Sequence, residues 1–362
     1  MPYAAGNLSF ELFLAPIPAT PASFTGMLLL ADQALGTTLG GVDRYRQYND
    51  YASMVTDAAV LSAAVLQAGQ DFFAQPGNKA YLLVGRINTG GAETYSTGAV
   101  LVKAAIAAAG ATYWGVCLDK RTTAEILLVA ADMATDEYGM CFIQSADATW
   151  LTAGYPAALT ALENNERCSV CYHDTDTEWM DTSWFGNRLA FDPDEASAGW
   201  PASLANVANN ATDPTAAQQV FLEANEGNLG LEWGNATFWV GNGVNCAARP
   251  IDHILSSDWF IGRSRERLVT LVQSYSARGQ KITIDTRGQS VVAGELEAQL
   301  KVGLDVGHFL VESPVDSEIV SAIVPQAITA ADITALRMRY SVTLVLATGA
   351  VSFPVTVYAQ AS

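Results

Sequence analysis

The residue types that carry chemistry are few and scattered along this chain. Cys168 and Cys171 form a CxxC with His173 two residues on, the best candidate for a metal site. A structural zinc site takes four ligands, usually as a second pair, whereas Cys117, Cys141 and Cys246 stand singly. Residues 168–172 read as a strand, so these cysteines fit better as small apolar fillers, one of them facing the core. Asp192 and Asp194 flank Pro193 in a pair that suggests a carboxylate dyad or cation site, but Asp-Pro-Asp is also ordinary turn chemistry. Of the three histidines, His173, His253 and His308, none has a second His or a nucleophile at a mechanistically useful spacing. Gly241, Asn242 and Gly243 lack the third glycine and the strand-to-helix setting of a dinucleotide fingerprint, and read as a turn. These residues imply no catalytic group, no metal and no cofactor.

Arg263 and Arg267, four apart on a predicted helix, share one of its faces with Arg265 and Glu266 beside them. Two readings fit: a solvated face with local ion pairs, or a docking stripe for an acidic partner. The charge distribution keeps the second in play. The chain carries a net charge of −18, and before Arg249 there are 9 Lys and Arg against 26 Asp and Glu, whereas from Arg249 onward there are 10 against 11. An acidic first part repels phosphate backbones, since nucleic-acid affinity comes from neutralising them, so no direct nucleic-acid ligand is expected. The odd count of five cysteines argues against a secreted disulfide scaffold and for reduced thiols. No uninterrupted apolar stretch reaches the roughly 18 residues a membrane span needs. Met1 to Phe10 lack the basic cluster and apolar run of a secretory signal, which points to a cytoplasmic site of synthesis.

The elements that would position such residues follow from periodicity. Leu8, Phe10, Leu12 and Leu14 alternate with Ser9 and Glu11, a strand of period two broken only by Phe13. Pro16, Pro18 and Pro21 then make a stiff, extended tether. From Phe24 to Tyr172 strands and helices alternate: strands at 24–30, 80–87, 113–118, 140–144 and 168–172, helices at 57–73, 100–109, 123–134 and 157–164. Such alternation implies an α/β layer with a mainly parallel sheet. Residues 174–245, rich in Trp, Asn, Asp and Gly, read as loops with short helices near 201–209 and 215–224. After Pro250 a helix capped by Ser256 or Ser257 runs to Tyr275, followed by a strand at 281–285, a helix near 294–302, a strand at 309–312, and a closing hairpin of 338–347 and 351–359. In its last strand Val351, Phe353, Val355 and Val357 share a face.

Several segments together resemble the contractile tail sheath family of phages and related injection particles. Arg44, Tyr45, Tyr48 and Val55 precede a helix ending in Phe72, Phe73, Gln75 and Pro76, and Tyr81 to Arg86 form a strand closing in Val-Gly-Arg. Asp258, Trp259, the Arg263 helix, Lys281, Ile282, Thr283, Asp285, Gly288, Gly303, Gly307 and the strands from Arg339 to Val357 are similar to the family's C-terminal domain. The order of these loose motifs covers two thirds of the chain. The resemblance implies a compact sheath subunit, α/β with an α+β C-terminal domain, mixed sheet layers with helices and extended β-strand arms at both termini. Its implied parts are an N-terminal arm (1–22), an acidic outer domain (23–250), a tube-facing domain (251–349) carrying Arg263 and Arg267 as tube contacts, and a C-terminal arm (350–362). The implied partners are further copies in a helical homopolymer, a tail tube protein, and baseplate and tail terminator proteins. The implied place is a virion tail assembled in a host cytoplasm, where the sleeve contracts by rigid-body rearrangement to drive the tube through an envelope.

The residues themselves supply a means of assembly. Residues 341–362 hold no charge, and an uncharged strand left as an open edge invites pairing. Leu8, Phe10, Leu12 and Leu14 on one arm, and Val351, Phe353, Val355 and Val357 on the other, can complete sheets of neighbouring subunits. They can equally complete sheets within their own subunit. Two other function classes stay open: an α/β enzyme with an unrecognised nucleotide or sugar site, suggested by the alternation and the Trp-rich middle, and another tail component such as a tube or baseplate protein.

Overall fold

The computed structural model describes residues 8–13, 24–32, 44–91, 93–136, 138–153, 157–195, 197, 199–200, 202–233, 237–241, 243–312, 320–335, 337–347 and 352–360. The strands are β1 (Leu8–Phe13), β2 (Gly26–Asp32), β3 (Tyr45–Tyr48), β4 (Tyr81–Ile87), β5 (Gly115–Leu118), β6 (Met140–Ser145) and β7 (Cys168–Tyr172). They continue as β8 (Ala202–Leu204), β9 (Asn228–Trp233), β10 (Thr237–Val240), β11 (Phe309–Leu310), β12 (Ala322–Pro325), β13 (Arg337–Leu346) and β14 (Ser352–Gln360). The helices are α1 (Tyr51–Val55), α2 (Ala63–Phe73), α3 (Tyr95–Ala108), α4 (Thr123–Thr135), α5 (Trp150–Ala153), α6 (Met180–Arg188), α7 (Ala216–Ala224), α8 (Ile251–Ala277), α9 (Thr286–Asp305) and α10 (Ala330–Thr334). Two compact units result: one of residues 23–192 and 198–255, the other of 1–22, 193–197 and 256–362. The short stretch 193–197 thus belongs to the second unit although its sequence neighbours belong to the first.

The first unit is an α/β layer around a nine-stranded sheet in the order β3-β4-β2-β5-β6-β7-β9-β10-β8. The run β4-β2-β5-β6-β7-β9 is parallel, with antiparallel strands at both edges. Strands β2, β5, β6 and β7 are buried almost throughout, which is why they read as continuous apolar runs rather than alternations. On one face Trp114, Phe142, Trp184, Phe185 and Trp200 form a fully buried aromatic cluster, Phe142 stacking on Trp200 at 5.1 Å. The Trp184 indole donates to the Trp200 carbonyl at 2.7 Å. Trp184 and Trp200 of the Trp-rich middle are therefore core, and their rings do not line a sugar site. Helices α2 and α6 meet closely: a Cβ on Gly186 would lie 2.3 Å from the Phe72 carbonyl oxygen, so only glycine fits. Gln75, from the Phe-Phe-x-Gln-Pro motif, clamps Ala205 by donating to its carbonyl at 2.7 Å and accepting its N–H at 3.0 Å.

Several expected elements change. The run 57–73 divides into a turn and α2, because Ser62 caps a new helix by accepting from the Val65 N–H. Residues 201–209 give the short strand β8 in place of a helix, and 157–162 form a 3-10 turn. Helix α8 begins at Ile251, directly after Pro250, whose missing N–H suits a helix start. Ser256, expected as its cap, instead bonds through its hydroxyl to His308 Nδ1 at 2.8 Å. Residues 281–285 are no strand: Gly279 ends α8 with φ of 66°, and Asp285 already caps α9 by accepting from the Gly288 N–H. The alternation of Ile282 and Ile284 imitates a strand over a span too short to pair.

The second unit packs α8 from Ser256 onward and α9 with a five-stranded sheet. Strand β13 is its spine, pairing with β14, β12 and β11, all antiparallel. Its residues alternate between buried and half-buried, with Met338, Tyr340, Val342 and Leu344 inside. Tyr340 donates its hydroxyl to the Gln289 carbonyl of α9 at 3.0 Å, fixing helix to sheet. The 193–197 stretch is pinned here: His308 Nε2 donates to the Pro193 carbonyl at 2.8 Å, and Trp259 Nε1 donates to Asp194 at 2.8 Å.

Candidate assembly interface

The two chain ends meet in one ribbon. Strand β14 folds back antiparallel on β13 over nine registered pairs, from Arg337↔Gln360 to Val345↔Ser352. Strand β1 adds to the far side of β14 in parallel, from Leu8↔Val355 to Phe13↔Gln360. The registers set Val355 opposite both Val342 and Leu8, and Val357 opposite both Tyr340 and Phe10. Alternate positions of both ends are thereby aligned with the buried positions of β13, as a period-two pattern requires. Phe353 is in register with Leu344, and Leu12 with Ala359. Leu14 and Val351 lie outside the described residues, as do the prolines of the tether and the turn at Thr348 and Gly349. Within one chain, then, the two ends pair with each other. Sequence reasoning missed this partnership because nothing in either pattern names the strand it will join.

Arg263 and Arg267 lie on α8 beside a groove of about 550 Å³ between α8 and α9. Arg263 is held by Asp194 at 2.5 Å and by Glu266 at 2.9 Å. Burial alone would lower its pKa, but the Asp194 hydrogen bond and the Glu266 charge outweigh this and keep it above the ordinary value. Asp194 responds in kind: burial pushes its carboxyl up, and the Arg263 and Trp259 hydrogen bonds hold it lower still. Arg267 donates to Gln299 at 2.6 Å and approaches Glu295 at 3.9 Å. The two arginines share a face, as their spacing predicts, and Arg263 serves mainly to anchor the 193–197 stretch. From Arg263 to Lys301 the chain carries seven Lys and Arg against four Asp and Glu, so this hairpin of helices is locally basic in an acidic protein.

The residues singled out for chemistry hold the fold together. Cys168 and Cys171 are both buried, and their spacing along β7 puts them on opposite faces of the sheet, where they cannot share one ion. Among the described residues no group of three His, Cys, Asp or Glu is placed to hold a metal. His173 donates from Nε2 to the Ala208 carbonyl at 2.9 Å and accepts the Thr175 N–H at Nδ1. At the carboxyl ends of β2 and β5, where open α/β sheets bind ligands, Lys120 pairs with Asp32 at 2.6 Å and Tyr95 donates to Asp119. Burial raises the Asp32 carboxyl, but hydrogen bonds from Lys120 and Thr89 bring it below the ordinary range, whereas burial of Asp119 prevails and raises it. The fold's customary ligand position is occupied by its own side chains. Among the described residues no helix is long and apolar enough to cross a membrane.

No family model matches the sequence, and no curated protein matches it. Solved structures do. The chain is similar to a sheath tail protein of Listeria innocua, with a TM-score of 0.64 and 8% identity over 94% of this chain and 96% of that one. It is similar to a sheath tail protein of Desulfitobacterium hafniense, with a TM-score of 0.61 and 10% identity over 96% and 99%. It is also similar to a chain in the baseplate of the anti-feeding prophage, with a TM-score of 0.65 and 14% identity over 96% and 92%. The architecture is therefore that of contractile tail sheath proteins, matched along nearly the whole chain.

Proposed function

We propose that the protein is the sheath subunit of a contractile tail or tail-like injection particle, a structural protein that polymerises helically around an inner tube. The terminal ribbon carries this reading. Its β1–β14 ladder is the same set of backbone hydrogen bonds whether both strands come from one chain or from two. Both strands are free of charge except for Glu11, and β1 is joined to β2 by the twelve residues between Phe13 and Gly26. Exchange of such strands between copies replaces each intrachain pair with an equal interchain pair, and the head-to-tail relation propagates into a helix. Leu8, Phe10, Leu12 and Leu14, with Val351, Phe353, Val355 and Val357, are the exchanging positions.

In this reading the less acidic second unit faces the tube, with Arg267 and the basic α8–α9 hairpin as its contact and Arg263 held in place by Asp194. The acidic first unit faces outward, where charge keeps a crowded polymer soluble. Contraction is a change between two packings of rigid subunits joined by the exchanged strands. The similarity to a chain in a baseplate structure supports contact with baseplate proteins at one end of the sleeve, and a terminator protein would close the other. Assembly takes place in the host cytoplasm, and the finished particle is a virion tail or a related injection particle. Negative-stain microscopy of the purified protein tests the reading: helical tubes are expected, and removal of residues 1–14 or 351–362 leaves soluble monomers. Trimmed protein that still builds tubes defeats it.

A further inference from the structure

Three buried thiols lie side by side on one face of the nine-stranded sheet, and the assembly described above makes no use of them. Cys141 of β6 and Cys168 of β7 are register partners on neighbouring parallel strands. Cys246, from the segment just before α8, completes the row: its N–H donates to the Cys168 carbonyl at 2.8 Å, and its own carbonyl accepts the Asn164 N–H at 2.8 Å. The Cys141 and Cys246 side chains both act on the Cys168 thiol and, with burial, push its pKa well above the ordinary value. All three are at most 1% exposed and belong to the same hydrophobic core, while Cys171 alternates to the opposite face.

We propose that this row is a site of oxidative modification, in which a peroxide converts Cys168 and Cys246 into an intramolecular disulfide and leaves Cys141 reduced. Geometry selects the pair. A disulfide needs Cβ atoms about 3.5–4.5 Å apart, and Cys141 and Cys168 are kept near the roughly 4.8 Å strand spacing by ladders along both strands. Cys246 lies outside the regular strands and is held there by single backbone bonds to Cys168 and Asn164 and by the Asn245 side chain rather than by a ladder, so closing the remaining distance takes a shift of one short segment and not of a strand. The Cys168 thiolate attacks the peroxide, whose O–O bond breaks to leave a sulfenic acid and water. The Cys246 sulfur then attacks Cys168 and expels a second water, so two thiols and one hydrogen peroxide yield one disulfide and two waters. Burial shields all three thiols, so the reaction is slow and waits on opening of the segment. Once formed, the bond ties the approach to α8 onto the sheet and closes a loop of some 80 residues, which restricts the unfolded chain.

The test uses the full chain, purified under reductant, freed of it and exposed to hydrogen peroxide. Thiols are counted after denaturation, and unreduced peptides are mapped by mass spectrometry. Two of the five thiols should disappear, a peptide pair joining Cys168 to Cys246 should be recovered, and the melting temperature should rise by several degrees and fall back on reduction. Cys141→Ser should keep the bridge, and Cys246→Ser should lose it. Should Cys246→Ser fail to fold, the wild-type peptide map decides alone. Five persisting thiols, a bridge from Cys168 to Cys141, a bridge between chains, or sulfinic acid as the main product each overturn the proposal.

Discussion

The nine-stranded sheet and the terminal sheet are both rich in apolar strands, yet they differ in where those strands come from. The core strands β2, β5, β6 and β7 are drawn from one continuous stretch and are buried on both faces by helices and by the aromatic cluster. The terminal sheet instead joins the first described strand to the last, around a β13 of alternating burial. One sheet completes itself locally. The other is completed by the ends of the chain, which are the parts that a neighbouring copy can supply equally well. If the proposed sleeve forms, stability and polymerisation fall to different regions, and mutations can separate them.

Thr356→Pro should have the largest effect on assembly. Thr356 lies between Ser9 and Ser341 in a strand paired on both sides, where a missing N–H breaks the ladder. Tubes should vanish from micrographs while the melting of the first unit is unchanged; tubes of normal length would erase the contrast between the two sheets. Phe142→Ala should do the opposite, costing about 3–5 kcal/mol in a urea melt because it opens a cavity against Trp184, Phe185 and Trp200.

Asp71→Asn should sharpen the comparison through pH. Asp71 is buried, with Oδ1 accepting from Asn206 and Gln67, and burial pushes its pKa up to about 7 despite those bonds, with Glu178 and Asp181 adding to the rise. The fold therefore prefers the protonated acid. The penalty for ionising it grows as pH rises from the unfolded value near 4 and is complete above about 7. The variant should exceed wild type by on the order of 2 kcal/mol at pH 8, with the gap closing toward pH 4, as read from urea melts across that range. Arg263→Ala should have the smallest effect, about 1 kcal/mol at low salt and less at high salt, since Asp194 is partly exposed. Thermal melts at two ionic strengths measure it.

The parallel sheet was legible because its strands are buried on both faces, so β2, β4, β6 and β7 stand out as apolar runs between alanine-rich helices. Strands β3, β9 and β10 were not, since Tyr45–Tyr48 carries two exposed polar residues and the others sit among Gly, Asn and Trp without clear alternation. The start of α8 was misplaced because Ser256 has the chemistry of a cap but spends it on His308, 52 residues away. The terminal strands were legible as strands from their period of two. Their mutual register was not, because pairing of distant strands is decided by tertiary structure rather than by either pattern alone.

The β1–β14 ladder joins residues 347 positions apart, Leu8 to Val355. Closing so large a loop carries an entropic cost, and β14 is synthesised after every other strand of both sheets. Every nascent chain therefore holds β1 without its mate until β14 has emerged, while β2 to β7 can already have folded. In the proposed sleeve, subunits would consequently become competent to join one another only after β14 has emerged, an order of synthesis that discourages premature assembly on crowded polysomes.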